Sequence, residues 1–194
     1  MRSLLSILRR ALLTTGCLLT LAAGPHAQAG DLSNFVFEGR GNVLVFDAAA
    51  GSGGWNGEIT GVTDAALSFA VLVTFDYDAA QNHLLGIFEF TKANDLASSI
   101  SGSVMGGFTG ASGSLAGGGQ LELDYQVLGG TGLYAGSSGF GLSSLSFDPG
   151  ATGDNNYSER GLLVAVPEPG MAALMAAGLL LLALVRTRRL RPQK

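Results

Sequence analysis

Apolar and polar side chains alternate along three segments in the middle of this chain. In residues 69–78, every second side chain from Phe69 to Tyr77 is apolar or aromatic, and the opposite face carries two aspartates. A period of two is that of a β-strand with one buried face. The same period recurs in residues 83–92 and 120–128. The side chains predicted to point inward there are Phe88, Phe90, Leu121, Leu123, Tyr125 and Val127.

Weaker alternation predicts further strands in the rest of the body. They lie at residues 35–40, 42–47, 55–63, 96–104 and 158–166. In residues 140–148 the apolar phase changes between Leu142 and Leu145, which predicts a β-bulge near Ser143 and Ser144. The fold class expected for residues 30–165 is therefore all-β, a single antiparallel barrel or sandwich of about eight strands. The 30 glycines agree with turn-rich β structure, because glycine destabilises helices.

Residues 1–29 are typical of a secretory signal peptide. A positively charged start precedes the apolar stretch 11–23, and Ala27 and Ala29 form the small-x-small pattern that signal peptidase requires. The basic residues of the start are Arg2, Arg9 and Arg10. The sequence predicts cleavage before Gly30. The alternative is an uncleaved membrane anchor, for which the apolar run is short.

The C-terminal residues 171–185 form an apolar run that predicts a short transmembrane helix. As a helix it spans about 22 Å, less than the roughly 30 Å hydrocarbon core, and arginines that snorkel to the interface shorten the gap. A basic cluster follows the run and predicts a cytoplasmic tail by the positive-inside rule. Its members are Arg186, Arg188, Arg189 and Arg191. The body is then expected on the exported side of the membrane.

A proline-bracketed glutamate precedes this helix, in the sequence Val166-Pro167-Glu168-Pro169. Two prolines around one residue exclude a helix and hold the backbone extended, which is the form a protease cleft reads. Together with the helix and the arginines, this motif resembles the PEP-CTERM sorting signal of exopolysaccharide-producing Gram-negative bacteria, over about residues 165–191. The resemblance implies a sorting segment at 166–194 and processing by exosortase, a membrane-embedded cysteine transpeptidase. The alternative is an ordinary anchor with a Pro-Glu-Pro spacer.

The glycine-rich segment 129–139 carries a second resemblance. It is similar to the GGTGxFxGAxG turn of allene oxide cyclase-like and dirigent-like β-barrels, with Tyr134 at the aromatic position and Ser137-Ser138 in place of the usual pair. The resemblance implies a barrel whose interior binds or converts a small molecule. Glycines in such a turn permit positive φ and close approach of strands.

Charge and cysteine content narrow the range of functions. The 15 acidic residues all lie between Asp31 and Glu168, where only three basic residues oppose them, so the middle carries about −12. Phosphate repels such a surface, so nucleic acid is not an expected partner. The single cysteine, Cys17, lies in the predicted leader, and His83 is the only histidine beyond it. The mature chain then has no thiolate chemistry and no disulfide.

Acidic residues supply the few candidates for chemistry. The pairs Asp76/Asp78 and Glu122/Asp124 each share a strand face, as in a glycosidase cleft, but alternating carboxylates are also typical of a solvated face. The oxygen-rich segment 148–156 is either a plain loop or a calcium site. We expect His83 at the surface and Trp55 in the core.

These observations predict an exported, non-enzymatic β protein with no catalytic residues and no metal site. Its expected partners are signal peptidase, exosortase and extracellular polysaccharide, and its C-terminal helix anchors it to the periplasmic side of the inner membrane before processing. Afterwards the expected location is the cell surface or the extracellular matrix, as in a biofilm. Two alternatives stay open: a cyclase-like barrel enzyme or small-ligand binder, and a calcium-dependent adhesin.

Overall fold

The computed structural model describes residues 32–47, 50–110, 112–167 and 178–179. The predicted leader with Ala27 and Ala29, the motif residues Glu168 and Pro169, the apolar run and the arginine cluster lie outside the described residues. Among the described residues, no helix has the length and hydropathy needed to cross a bilayer.

Eight antiparallel strands form one closed barrel, in which each strand pairs with its neighbours in sequence and β1 pairs with β8. The strands are β1 (Phe35–Asp47), β2 (Ser52–Gly61), β3 (Ser68–Asp78), β4 (His83–Lys92), β5 (Ser99–Phe108), β6 (Gly119–Gly130), β7 (Ser137–Phe147) and β8 (Tyr157–Pro167). The prediction of an all-β fold of about eight strands is confirmed, and the architecture is a barrel rather than a sandwich. The two strands predicted at residues 35–40 and 42–47 are one continuous strand.

The connections alternate between two ends of the barrel. We call the upper end the one that holds the loops 62–67, 93–98 and 131–136, the start of β1 and the last residue of β8. The lower end holds the other four connections. In the glycine-rich turn between β6 and β7, Gly132 and Gly136 have φ values of 54° and 72°, which a residue with a side chain rarely adopts.

Alternate side chains of every strand point inward and fill the barrel. The inward residues predicted for residues 69–75, 83–92 and 120–128 are buried. Trp55 is 1% exposed and stacks at a tilt on Phe75, with ring centroids 5.6 Å apart, so its prediction as a core residue is confirmed. Near the upper end the Phe69 ring lies 5.5 Å from Phe35 and 5.8 Å from Tyr134.

The predicted bulge near Ser143 and Ser144 is wrong. β7 keeps an unbroken register with both β6 and β8 through these residues. Phe140 and Leu142 point outward and are more than half exposed, while Gly141 and Ser143 point inward. The phase does not change: the inner face carries Gly141 and Ser143 and then Leu145 and Phe147, while the outer face carries Phe140 and Leu142 and then two serines.

The last strand runs into the predicted sorting motif. Val166 pairs with Ser138 and Pro167 pairs with Ser137, so the first two motif residues belong to the barrel. The pairing of β8 with β1 ends where Phe35 faces Leu163. Beyond that point the described strands pair with β8 on its β7 side alone.

Candidate functional site

A polar cluster lies inside the barrel among the apolar side chains. Tyr125 of β6, Ser143 of β7, and Tyr157 and Glu159 of β8 all take inward positions of the two-residue alternation. Glu159 is 4% exposed and Ser143 is 5% exposed. Buried carboxyl groups are rare unless they are paired, so this cluster is the candidate functional site.

Two hydroxyl groups bind one oxygen of the buried carboxyl group. The Tyr125 hydroxyl donates to Glu159 Oε1 at 2.7 Å, and Ser143 Oγ donates to the same oxygen at 2.6 Å. Within the described part of the chain, Glu159 Oε2 and the Tyr157 hydroxyl have no hydrogen-bond partner although both are buried. The indole Nε1 of Trp55 is in the same condition. An unpaired buried polar group costs about 1–3 kcal/mol of folding free energy. A further polar group that formed hydrogen bonds with these atoms would recover part of that cost.

Burial sets the protonation of the cluster. Desolvation raises the pKa of Glu159 above its ordinary value, and the hydrogen bonds from Ser143 and Tyr125 offset part of that rise. Desolvation and then the nearby Glu159 charge also raise the pKa of Tyr125 and of Tyr157. Both phenols therefore stay neutral at neutral pH. The Glu159 carboxyl holds its proton to a higher pH than an exposed glutamate and can then donate from a carboxyl oxygen.

Glycines on the inner face make room for the two β8 side chains. Gly41 of β1 pairs with Tyr157, and Gly57 of β2 pairs with Gly41. The Tyr157 side chain reaches across β1 to β2. Its hydroxyl lies so close to Gly57 that a Cβ on this glycine would collide with it. Gly39 pairs with Glu159, and a Cβ there would come within 3.4 Å of Glu159 Cβ.

The carboxylate pairs on the strand faces take no part in this cluster. Asp76 and Asp78 line an open depression of about 610 Å³ at the lower end. Asp78 Oδ1 accepts hydrogen bonds from the backbone N–H groups of Ala80 and Gln81 at 2.9 and 3.2 Å, which shapes the β3–β4 turn. Glu122 accepts a bond from the Gln120 side chain and is exposed. All four carboxylates are exposed, which favours the interpretation of both pairs as solvated surface.

The oxygen-rich segment 148–156 is bound to the barrel by its own side chains. Asn156 Oδ1 accepts from Val43 N at 2.6 Å, and Asn156 Nδ2 donates to Val43 O at 3.1 Å. Asp148 Oδ1 accepts from Gly150 N at 2.9 Å. Across the described ranges, no group of three or more histidine, cysteine or acidic side chains is arranged to hold a metal ion.

The alternation of β6 predicts Tyr125 as an inward residue, and the other three residues of the cluster are not among the sequence predictions. His83 is exposed, as predicted. Tyr157, Glu159 and Leu163 are separated by even numbers of residues in one strand, so they lie on the same face. This spacing alone could have predicted that the Glu159 carboxyl points inward. Ser143 was missed because the wrong bulge put the apolar residues before it, rather than Ser143 itself, on the inner face.

Comparisons with models of protein families, with curated proteins and with solved structures gave no match to this chain. Its class is therefore stated from the structure: an up-and-down eight-stranded antiparallel barrel with one buried carboxyl cluster.

Proposed function

We propose that this chain is an exported, non-enzymatic β-barrel that exosortase processes at its C-terminus. In this proposal the leader directs export and the C-terminal helix holds the barrel on the periplasmic side of the inner membrane. Processing then transfers the barrel to the cell surface or to the exopolysaccharide matrix, where extracellular polysaccharide is the expected partner. The two terminal signals in the sequence motivate this proposal.

The observation that carries the proposal is the end of β8. Val166 and Pro167 are extended, and residues 164–167 are paired with β7 on one side only among the described strands. Proteases commonly bind extended backbone, and an unpaired strand edge is open to a further strand. A motif that leaves the barrel in this form is suited to recognition by a processing enzyme.

The filled interior supports the non-enzymatic part of the proposal. The inner face is mainly aromatic and aliphatic. Asp78 and Asp148 accept hydrogen bonds within their own loops, and Asn156 is bonded to Val43 of β1. Within the segment 148–156, these bonds engage Asp148 Oδ1 and Asn156 Oδ1, two of the oxygens that a calcium-dependent adhesin would use.

Expression with and without exosortase tests this function. We expect the intact mass of the surface-exposed product to be smaller in the presence of the enzyme, by the length of the helix and its arginine tail. A host whose exosortase lacks its cysteine is the matched control and should give the uncut form. Products of identical mass that retain the helix in all three hosts would refute processing.

The buried cluster favours one second candidate, a barrel that binds a small ligand. Glu159 Oε2, the Tyr157 hydroxyl and Trp55 Nε1 are buried without partners among the described residues, and apolar side chains surround them. A ligand that fits has an apolar body and one polar head that accepts from Tyr157 or exchanges a proton with Glu159.

Native mass spectrometry of the purified protein tests this candidate. A bound ligand would add mass to the wild type, and the Glu159→Gln variant should retain less of it, because the amide cannot exchange a proton with the polar head. If the measured mass of the wild type equals the mass of its sequence, no ligand is bound and this candidate function is rejected.

A further inference from the structure

Exposed apolar side chains surround the upper end of the barrel. We call this set the upper rim, and it consists of Val36, Val62, Leu96, Leu128, Phe140 and Val166. Leu96 is 78% exposed and Leu128 is 66% exposed, so these side chains are in water in the isolated barrel. Apolar residues exposed together at one end of a small protein mark an interaction surface.

The fold holds the members of the rim in place. Val62 N donates to Val36 O at 2.9 Å, which fixes the β2–β3 loop beside the start of β1. Thr131 Oγ1 donates to Ala97 O at 2.8 Å and ties the loop of Leu96 to the β6–β7 turn. Leu128 is the extra residue at the register shift between β5 and β6, where Val127 faces Gly102 and Gly129 faces Ser101.

The lower end exposes fewer large apolar side chains and more acidic ones. Its described loops show no exposed large hydrophobic side chain, and the strand segments next to them expose Leu44, Leu85 and Met105. Five exposed aspartates occupy these loops and the adjoining strand ends. They are Asp47, Asp76, Asp78, Asp148 and Asp154.

The loops of the upper end carry two aspartates, Asp64 and Asp95. Asp64 accepts from Ala66 N, and Asp95 accepts from Ala97 N and from Ser98 Oγ. Lys92 supplies a cation at the same end and lies over the Tyr134 ring, 5.9 Å from its centroid. The upper-end loops and strand ends thus carry two aspartates and one lysine, and the described lower end carries five aspartates and no lysine or arginine, so an anionic surface would repel the lower end more strongly.

The chain also leaves the barrel from the upper end. The last residue of β8 is Pro167, and the predicted membrane helix begins at residue 171. Four residue steps of extended chain span at most about 14 Å. A barrel anchored by that helix cannot move its upper end far from the bilayer surface.

We infer that the upper rim is a lipid-contacting surface that rests in the interface of the bilayer and inserts Leu96 and Leu128 among the headgroups. This inference depends on the anchoring step of the proposed function. In the proposed function, this contact would hold Val166 and Pro167 at the level of the membrane, where a membrane-embedded protease acts.

Fluorescence quenching in vesicles tests the contact on residues 30–194, the chain without its leader and with its C-terminal segment uncut. This chain has no native cysteine, and its Leu96→Cys, Leu128→Cys and Ile87→Cys variants are labelled with an environment-sensitive dye. Ile87 is the matched control, because it is also 66% exposed but lies on the outer face of β4. The proteins are reconstituted in vesicles of phosphatidylethanolamine and phosphatidylglycerol that carry a spin-labelled quencher near the headgroups.

We expect a blue shift and loss of most fluorescence at positions 96 and 128, and little change at position 87. If the chain floats with the vesicles but positions 96 and 128 respond no more than position 87, the inference is wrong and the anchoring stands. If the chain does not float with the vesicles, the anchoring in the proposed function is itself wrong, and the contact is rejected with it.

Discussion

Replacing Gly57 by valine is expected to lower the free energy of unfolding by about 2–4 kcal/mol, because overpacking a filled core forces side chains and backbone to move. A Cβ at this position would collide with Arg40 O and with the Tyr157 hydroxyl. The Tyr157 ring would have to leave its place across β1, and the packing around Glu159 would change with it. Urea denaturation of the purified barrel measures the loss.

Gly129→Val is the matched control for this prediction. Gly129 also lies in a strand, but a Cβ there would meet no atom within 4 Å and its φ is not positive. Valine favours extended backbone, so its stability should equal or slightly exceed that of the wild type. If both variants lose the same free energy of unfolding, Gly57 is not needed to make room for Tyr157.

Glu159→Ala is expected to cost about 3–5 kcal/mol, since it leaves two buried hydroxyl groups without their acceptor and opens a cavity. The groups are those of Tyr125 and Ser143. Glu159→Gln keeps an acceptor oxygen at the same place, so its loss should be under about 1 kcal/mol. Similar losses in the two variants would contradict a role for the hydrogen bonds.

The same pair of proteins tests the raised pKa of Glu159. A carboxyl whose pKa is higher in the folded state binds more protons when folded, so its contribution to stability falls as the pH rises above about 4 and levels off above the folded pKa. The wild type should therefore lose stability relative to Glu159→Gln over that window. A difference that stays constant, or that grows in favour of the wild type, would mean that Glu159 is not held in its protonated form.

The strands with strict alternation could be predicted because the pattern depends on neighbouring residues alone. The strand predicted at residues 83–92 has the same bounds in the structure. β1 was predicted as two strands because Gly41 interrupts its pattern. In the barrel that glycine is an inward residue facing Tyr157 of β8, and a single strand runs through it.

The buried cluster could not be predicted from local pattern. Glu159 is an acceptor for Tyr125, 34 residues earlier, and for Ser143, 16 residues earlier. Those distances in sequence become contacts only when β6, β7 and β8 are placed side by side. Nor does the local pattern distinguish a barrel from a sandwich, because closure depends on the pairing of β1 with β8, the first and last strands in sequence.

The intact mass and location of the exported product, compared between the wild type and one motif variant in a host with exosortase, test the central claim most directly. The variant carries Pro167→Ser, Glu168→Ala and Pro169→Ser. Serine at position 167 is compatible with β8, because it restores a backbone N–H to a strand end. We expect the wild type to be trimmed near the motif and released from the inner membrane, and the variant to keep its helix and stay in that membrane. A variant trimmed and released like the wild type would contradict the central claim.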